Sequence, residues 1–176
     1  MRKMPNEELD RLSIPEFKQS KKIPVVVVLD NVRSQNNIGS VFRTADAFRL
    51  ESIILCGITS KPPHREIHKT ALGATESVHW EYQEETPIAI EELKAGGYQI
   101  LAVEQAENSV SLEQLHVVKD QKYALVFGHE IRGVDQKVVD MCDLCVEIPQ
   151  YGTKHSLNIS VAAGIVIWDV FKQFSL

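Results

Sequence analysis

The stretch that decides the fold is EIPQYGTKHSLNISVAAGIVIWDVFKQFSL, residues 147–176. It begins with the end of an apolar strand that stops at Pro149, and a polar loop follows. The run from Ile159 to Phe171 is then apolar on nearly every side, which is typical of a helix in a core or an interface. Ser156 and Asn158 are residue types that cap such helices. A polar loop between a strand end and a helix N-terminus is where an open α/β sheet usually binds its ligand.

The composition of the whole chain is that of a globular domain. Its 176 residues are 44% hydrophobic and 24% charged, which allows one domain with a substantial core. The net charge of −5 argues against a generally basic nucleic-acid-binding surface but allows a local basic patch. The apolar run that ends at Asp169 is shorter than the ~18 residues of a membrane span, and the N-terminus lacks an apolar signal core. We therefore expect a cytoplasmic protein without a membrane partner.

Apolar runs alternate with helical patterns along the rest of the chain. Val25 to Leu29 is continuous and mostly β-branched, which is typical of a strand buried on both faces. Further strands are expected at residues 52–56, 78–82, 98–103, 124–127 and 144–148, helices at residues 38–48, 87–94 and 135–141, short helical segments at residues 13–16 and 71–74, and a loop at residues 57–69. This alternation predicts an α/β fold, a mostly parallel sheet with helices on both faces. We expect residues 1–22 to be an N-terminal extension and residues 23–176 to form the domain.

The first candidate site is NIGSVFR, residues 37–43, which follows the first buried strand and opens a helix. Asn37 and Arg43 stand six residues apart, nearly two helical turns. Taken alone, the segment favours an ordinary structure in which Asn36 or Asn37 caps the helix and Arg43 forms a surface ion pair.

The second candidate site is GHEIRG, residues 128–133, directly after the strand that ends at Phe127. Its two glycines suit a tight turn and a close approach of a ligand to the backbone. Taken alone, it favours an ordinary strand-to-helix turn. Neither a dinucleotide fingerprint G-x-G-x-x-G after a strand nor a phosphate loop G-x-x-x-x-G-K occurs in the sequence.

The third candidate site is the loop before the final helix, together with Ser156 and Asn158. The alternative interpretation is that Ser156 and Asn158 only cap the helix.

Together the three segments resemble the motifs of the SpoU-type (TrmH-like) RNA ribose 2′-O-methyltransferases of the SPOUT superfamily. The resemblance is carried by Asn37 and Arg43 with the continuation RTADA, by Gly128, Glu130 and Gly133, and by Ile148, Pro149, Gly152 and SLNISVA at residues 156–162. The segment KTALGATESV, residues 69–78, also looks like the middle region of the family. The resemblance covers about residues 25–171, and its third motif is the most specific. One departure is Arg49, where the family often has a glycine.

The resemblance implies a fold, a cofactor and an assembly. The C-terminal part of the α/β domain would form a deep trefoil knot whose loops hold S-adenosylmethionine, largely through backbone groups. The residues expected at this cofactor are Phe127, Gly128, Ile148, Pro149, Gly152, Ser156 and Leu157. The protein would act as a homodimer with its active site at the subunit interface. The apolar final helix fits a role between subunits, although burial in the core explains it equally.

The reaction that the resemblance implies is methyl transfer to a ribose 2′-hydroxyl of transfer or ribosomal RNA. The expected catalytic residues are Arg43, Asn37, Glu130, Ser156 and Asn158. A guanidinium stays protonated in proteins, so we expect Arg43 to hold the adjacent phosphate and to stabilise the incipient alkoxide, while phosphate or water accepts the proton. Asn37 and Glu130 would orient Arg43 or the ribose. Ser156 and Asn158 would shape the pocket.

RNA binding requires positive charge on this acidic chain, and a local patch is enough. The candidate RNA-binding residues are Arg33, Lys61, His64, Arg65, His68, Lys69, Arg132 and Lys154. A solvated loop without an RNA role explains the cluster at residues 61–69 equally well. Residues 1–22 are too few for a second core, so RNA selection would come from the loops of the domain or from a partner.

Two of the three cysteines have a spacing that also occurs in zinc sites. Cys142-Asp143-Leu144-Cys145 has C-x-x-C spacing, but a zinc site needs about four ligands and only Cys56 and scattered histidines remain. We therefore expect buried thiols and no metal.

The competing function is that of a non-catalytic RNA-binding relative of the same fold. The absence of Asn37 or Arg43 would have favoured this alternative, but both residues are present. Methylation of another acceptor is a second alternative.

Overall fold

In the computed structural model, which describes residues 1–5 and 8–175, seven strands form one sheet in which every neighbouring pair is parallel. The strands are β1 (Ile23–Asp30), β2 (Leu50–Cys56), β3 (Trp80–Gln83), β4 (Tyr98–Val103), β5 (Val110–Ser111), β6 (Lys122–Phe127) and β7 (Leu144–Glu147). Their order across the sheet is β3-β2-β1-β6-β4-β7-β5. The described helices are α1 (Ile14–Gln19), α2 (Gln35–Ala47), α3 (Arg65–Ala71), α4 (Ala74–Ser77), α5 (Thr86–Ala95), α6 (Gln136–Val139) and α7 (Ile159–Ser175), and a short 3-10 helix spans Leu112–Gln114.

The central strand β1 is buried on both faces, as its sequence predicts. Val25, Val27 and Leu29 belong to one hydrophobic core, which they share with residues of α2, α3 and α7. Val26 and Val28 belong to a second core with residues of α5 and α6. Because successive side chains of a strand point to opposite faces, helices cover both sides of the sheet. This confirms the predicted α/β fold. The trefoil knot stays a prediction.

The register of the sheet brings four loops to the same edge. Leu29 pairs with Phe127, so β1 and β6 end side by side at the centre. Ala102 pairs with Val126, and Val103 pairs with Val146, so β4 and β7 end beside them. The loops that follow these four strands therefore begin together at the carboxyl edge, where parallel sheets usually bind ligands.

Three local predictions are wrong. The cap of α2 is Ser34, whose Oγ accepts from the Asn37 N–H at 3.3 Å, and not Asn36 or Asn37. The expected loop at residues 57–69 ends early because α3 begins at Arg65, capped by Nδ1 of His64, which accepts from the Glu66 N–H at 3.2 Å. The helical turn expected at residues 71–74 is a break between α3 and α4.

The N-terminal segment packs on the domain through one short helix. Ser13 caps α1 in a capping box with Glu16, and Phe17 is buried in the core that contains Val25. The division into an extension at residues 1–22 and a domain at residues 23–176 stays a prediction. None of the helices in the described part of the chain is long and apolar enough to cross a membrane.

Candidate functional site

A cleft of about 1100 Å³ opens at the carboxyl edge of the sheet. Its walls come mainly from residues 103–108 after β4, residues 127–134 after β6, and residues 146–148 and 155–159 between β7 and α7. Small-molecule sites typically occupy about 300–1,000 Å³, so the cleft has room for a ligand of cofactor size.

The carboxylate of Glu130 ties the turn after β6 to the loop after β1. Its oxygens accept from the backbone N–H of Arg33 at 3.0 Å, from that of Ser34 at 2.8 Å, and from Nδ2 of Asn37 at 3.1 Å. Partial burial alone would raise the pKa of Glu130, but these hydrogen bonds outweigh it and hold the pKa below its ordinary value. Glu130 is therefore a carboxylate at neutral pH.

The side chain of Asn37 links this carboxylate to the start of α7. Asn37 is 8% exposed, and its Oδ1 accepts from Nδ2 of Asn158 at 3.2 Å. Asn158 in turn caps α7, because its Oδ1 accepts from the backbone N–H of Ser160 at 2.8 Å. Three of the predicted catalytic residues, one from each motif, thus form one hydrogen-bonded chain. The role of each in catalysis stays a prediction.

The turn between Gly128 and Gly133 is closed by two backbone hydrogen bonds between His129 and Gly133, at 2.9 and 2.8 Å. A Cβ on Gly128 would lie 2.1 Å from the carbonyl carbon of Gly133. Gly133 has φ +69°, and a Cβ there would lie 2.0 Å from Oε2 of Glu104. Both positions therefore require glycine. At Gly128 the backbone of Gly133 leaves no room for a Cβ, and at Gly133 both the contact with Glu104 and the positive φ disfavour a side chain.

Two residues of the cleft, Glu104 and Gln105, are not among the sequence predictions. Oε2 of Glu104 accepts from the Val134 N–H at 3.1 Å, which fixes the turn after β6. Nε2 of Gln105 donates to the carbonyl oxygen of His155 at 2.9 Å, which joins the loop after β4 to the loop after β7. The signal that could have found them is their position directly after a buried strand of a parallel sheet.

A third unpredicted residue, His129, lies between the glycines. It is 8% exposed, and its Nδ1 accepts from the backbone N–H of Ile131 at 3.0 Å. His129 therefore holds the turn in shape from inside.

Five of the seven residues expected at the cofactor line the cleft: Phe127, Gly128, Ile148, Ser156 and Leu157. Pro149 and Gly152 are not among the described residues that line it. The reason is that the loop between β7 and α7 runs outward, since Tyr151 is 94% exposed and a Cβ on Gly152 would meet nothing within 4 Å.

Arg43 is exposed on α2 and is not among the described residues that line the cleft of its own chain. Its motif partner Asn37 points the other way, into the hydrogen-bonded chain with Glu130 and Asn158. The structure of one chain thus brings together the polar groups of the three motifs but leaves the predicted catalytic arginine outside.

The basic residues predicted to contact RNA are spread over several elements. Arg132 lines the cleft, and Arg33 lines a second cleft of about 560 Å³ beside it. The ammonium of Lys61 lies 3.9 Å from the centroid of the Tyr82 ring. Arg65 forms an exposed ion pair with Glu66 at 3.9 Å. His64, His68 and Lys69 lie at the two ends of α3, and Lys154 is exposed in the loop after β7.

The final helix α7 is buried on one face only. Ala163, Val166, Ile167 and Val170 are buried in the main core. On the opposite side, three apolar side chains are exposed: Val161 by 49%, Ile165 by 39% and Trp168 by 52%. These three residues, at helical spacing, form what we call the α7 stripe. The ring centroid of Trp168 also lies 5.5 Å from the ring centroid of Phe48, at the end of α2.

The cysteines are free thiols. Cys56 is buried, as expected, whereas Cys142 and Cys145, which lie where α6 gives way to β7, are half-buried, so the expectation of buried thiols holds only in part for the C-x-x-C pair. Burial raises the pKa of Cys56 and of Cys142 to about 12. Among residues 1–5 and 8–175, no cluster of three or more His, Cys, Asp or Glu side chains is placed to hold a metal ion.

Comparison with known proteins identifies relatives of this chain. The family model of the SpoU rRNA Methylase family matches residues 24–168. A protein of Staphylococcus aureus (strain MSSA476), whose name places it in the TrmH family of tRNA/rRNA methyltransferases, is 32% identical over 160 residues. The matched region covers 91% of this chain and 63% of that protein, so the chain spans less than two thirds of the length of this relative.

Solved structures share the fold. The TrmH/SpoU tRNA modifying enzyme of A. aeolicus superposes with a TM-score of 0.81 at 25% identity, over 92% of this chain and 82% of that one. The AdoMet-bound rRNA methyltransferase of Sinorhizobium meliloti superposes with a TM-score of 0.79 at 26% identity, over 89% of this chain and 59% of that one.

Proposed function

The chain belongs to the SpoU rRNA methylase family, and from that premise we propose that it transfers a methyl group from S-adenosylmethionine to a ribose 2′-hydroxyl of transfer or ribosomal RNA. The observation that carries this proposal is the hydrogen-bonded chain of Glu130, Asn37 and Asn158 at the edge of the large cleft. It joins all three motifs at the carboxyl edge of a parallel sheet, where a methyl donor and an acceptor can meet.

The large cleft fits the proposed cofactor. Gly128 lines it at the turn after β6, and Ile148 and Leu157 line it from the loop after β7, where their backbone groups can contact the cofactor. Glu104, Glu107, Asp140 and Glu147 also line the cleft, and an acidic lining suits a donor that carries a sulfonium and an ammonium group. When bound, S-adenosylmethionine supplies an electrophilic methyl group. The structure of a relative in the AdoMet-bound state supports this assignment.

The chemistry asked of this chain is alignment and charge stabilisation. A 2′-hydroxyl is a poor nucleophile, so the protein must hold its oxygen in line with the methyl group and stabilise the negative charge that develops on it. Arg43 provides a permanent positive charge and a bidentate fork that matches the neighbouring phosphate. Phosphate or water accepts the proton, because a guanidinium does not. Asn37 acts through the hydrogen bonds by which it positions Glu130 and Asn158, Glu130 orients the ribose, and Ser156 and Asn158 shape the pocket.

Arg43 lies outside the cleft of its own chain, so we propose that it serves the cleft of a partner in a homodimer. The α7 stripe supports such a dimer, since Val161, Ile165 and Trp168 expose apolar surface that a second copy would cover. The stripe adjoins α2, the helix that carries Arg43, through the contact of Trp168 with Phe48. In an isologous dimer, each chain would then place its Arg43 near the partner's cleft.

The RNA would lie across the basic residues at the mouth of the clefts. Arg132 and Arg33 line the two clefts, and the residues at 61–69 together with Lys154 would add phosphate contacts from nearby loops. A fall in RNA affinity with salt that becomes less steep in the Arg65→Ala, Lys69→Ala double variant would support the loop contribution. An unchanged slope would assign the binding charge to other residues.

The proposal is tested by replacing Arg43 with alanine and with lysine and by measuring single-turnover methylation of bulk tRNA and rRNA beside cofactor binding. Arg43→Ala is expected to lose roughly 100-fold or more in rate with unchanged cofactor affinity, and Arg43→Lys to recover only part of it. Arg11→Ala, an exposed arginine outside the motifs, is the control. Wild-type turnover in Arg43→Ala would refute the assignment.

Mixing two inactive variants tests the contribution from the partner. One variant is Arg43→Ala, which keeps its cleft, and the other is Gly128→Val, which keeps Arg43 but whose side chain would collide with the Gly133 backbone and disrupt the turn that forms one wall of the cleft. If Arg43 acts on the partner's cleft, co-refolded mixtures regain activity in mixed dimers. If Arg43 acts within its own chain, the mixture stays inactive.

A further inference from the structure

A second cleft of about 560 Å³ meets the large cleft at the turn after β6. Both clefts are lined by His129, Glu130 and Ile131, so this turn is their common wall. The rest of the second cleft comes from the loop after β1, including Arg33, and the loop after β2, including Ile58. We propose that this cleft binds the base of an unpaired RNA nucleotide next to the one that is methylated. The inference rests on the proposed function.

The apolar groups of the second cleft match the faces of a base. The side chain of Ile58 is 59% exposed, and that of Ile131 is 82% exposed. Both isoleucines line the same cleft, and apolar side chains that line a cleft offer a surface that a ligand can cover. A base offers two flat, weakly polar faces that such side chains can contact, while its edges stay free for hydrogen bonds.

Polar groups at the same cleft match the edges of a base. Nε2 of Gln35 donates to Oγ of Ser60 at 3.2 Å, which links the start of α2 to the loop after β2. The amide oxygen of Gln35 and the hydroxyl hydrogen of Ser60 are further hydrogen-bonding groups of the kind that contact base edges. The cleft therefore combines apolar and polar groups in the manner of a nucleotide site.

The second cleft is lined by one guanidinium, that of Arg33, which can contact a phosphate. Arg33 uses its backbone N–H to hold Glu130, while its side chain is exposed at the cleft. The Glu130 carboxylate also lines the cleft and keeps its negative charge, and its oxygens accept from two backbone N–H groups and from the amide of Asn37. A phosphate attached to the bound base would therefore lie toward the guanidinium of Arg33 and away from the carboxylate.

The arrangement also selects unpaired RNA. Both faces of a base inside a duplex are stacked on neighbours, so such a base cannot enter a cleft between two loops, whereas an unstacked base can. Because the two clefts share a wall, a nucleotide in the second cleft would hold the ribose of its neighbour beside the donor cleft. The second cleft would thus select the RNA substrate when it binds, before methyl transfer takes place.

The direct test follows isotope-labelled isoleucine methyl groups by NMR while uridine or adenosine 5′-monophosphate is added, with S-adenosylhomocysteine filling the large cleft. The signals of Ile58 and Ile131 are expected to shift, and that of Ile88, an exposed isoleucine on α5, is expected to stay. Ribose 5-phosphate, which lacks a base, should shift them much less. Shifts of equal size with ribose 5-phosphate, or no shifts, would overturn the proposal.

Substitution gives a second test with a matched control. Of the two clefts described, Ile58 lines the second and not the large one. Ile58→Ala should therefore weaken binding of a short single-stranded oligouridine by roughly threefold to tenfold and raise KM for RNA with kcat unchanged. Ile88→Ala should change neither. Equal affinity of wild type and Ile58→Ala for the oligonucleotide would overturn the proposal. It would also be overturned if the NMR signal of Ile58 changed with protein concentration and not with added nucleotide, because that result would place Ile58 in a dimer contact.

These results are independent of whether methyl transfer occurs. Cofactor binding and transfer to bulk RNA are measured separately, and their absence would refute the proposed function alone. The nucleotide titration without S-adenosylhomocysteine still reports on Ile58, because this residue is not part of the large cleft.

Discussion

Asn37 and Glu130 are joined by a hydrogen bond of 3.1 Å from Nδ2 of the amide to Oε1 of the carboxylate. The other end of the same amide accepts from Asn158 at 3.2 Å. Asn37 is only 8% exposed, so its amide depends on protein groups for hydrogen bonds. Glu130 and Asn158 supply a partner at each end. One residue of α2 thus fixes the relative positions of the turn after β6 and the start of α7.

Replacing Asn37 with aspartate should be strongly destabilising at neutral pH. The new carboxylate would be buried next to that of Glu130, and we expect the free energy of unfolding to fall by roughly 2–4 kcal/mol. The loss should shrink as the pH is lowered toward about 4, because protonation removes the repulsion. Asn36→Asp, an exposed neighbour on the same helix, is the control and should change stability by less than about 0.5 kcal/mol. Urea unfolding at both pH values measures the difference, and equal effects at the two positions would contradict the buried network.

Glu130→Gln should change how stability depends on pH. Burial opposes ionisation of Glu130, but hydrogen bonds from Arg33 and Ser34 prevail and lower its folded pKa below the ordinary value of 4.5. The carboxylate therefore contributes stability that is fully present above that ordinary value and is lost as the pH falls through the lower folded value. The difference in the free energy of unfolding between wild type and Glu130→Gln should be constant near neutrality and shrink below about pH 4.5. Denaturant titrations across this range measure it, and a difference that is unaffected by acid would count against the assigned hydrogen bonds.

Gly128→Ala should damage the turn after β6. Its Cβ would lie 2.1 Å from the Gly133 carbonyl carbon, so the backbone of the turn must move. We expect a loss of roughly 1–3 kcal/mol in the free energy of unfolding, together with weaker binding of S-adenosylmethionine. Gly152→Ala is the matched control, since nothing lies within 4 Å of its Cβ. Calorimetric titration and thermal unfolding compare the two variants, and identical behaviour would show that the turn does not need glycine.

Arg49→Gly should stabilise the protein. Arg49 has φ 50° and follows Phe48, the C-cap of α2, at the position where helices commonly end on glycine in the left-handed conformation. Glycine adopts this conformation without the steric cost that a side chain brings. Relief of the backbone strain should raise the free energy of unfolding by up to about 1 kcal/mol. Arg49→Ala, which keeps the strain while removing the guanidinium, should give no such gain in urea unfolding, and equal gains would assign the effect to the side chain.

The sequence predicts the sheet well because burial leaves a local signature. The β-branched run at Val25–Leu29 is continuous since both of its faces are covered, and the strand is found where the pattern places it. Strand β5 has only two residues, too few for a pattern, and is absent from the sequence-based assignment. The three motifs were recognisable because their residue types and order are specific in combination, although each is ambiguous alone.

The contacts that the sequence could not supply are those made across long separations. Ser34, Asn36 and Asn37 are all good caps, and the local sequence does not show that the Asn37 side chain instead binds Glu130 and Asn158, 93 and 121 residues away. Gln105 has no local pattern that points to His155, 50 residues further on. A contribution of Arg43 to a partner chain likewise leaves no periodicity in the sequence of one chain.

The three joined motifs are proposed to direct a methyl group to a sugar oxygen. To test this, the protein is incubated with labelled S-adenosylmethionine and bulk tRNA and rRNA, and the methylated nucleosides are identified by mass spectrometry after complete digestion. We expect label in 2′-O-methylnucleosides with wild-type protein, and little or none with an Arg43→Ala variant that still binds the cofactor. Label on a base, or equal 2′-O-methylation by wild type and Arg43→Ala, would contradict it.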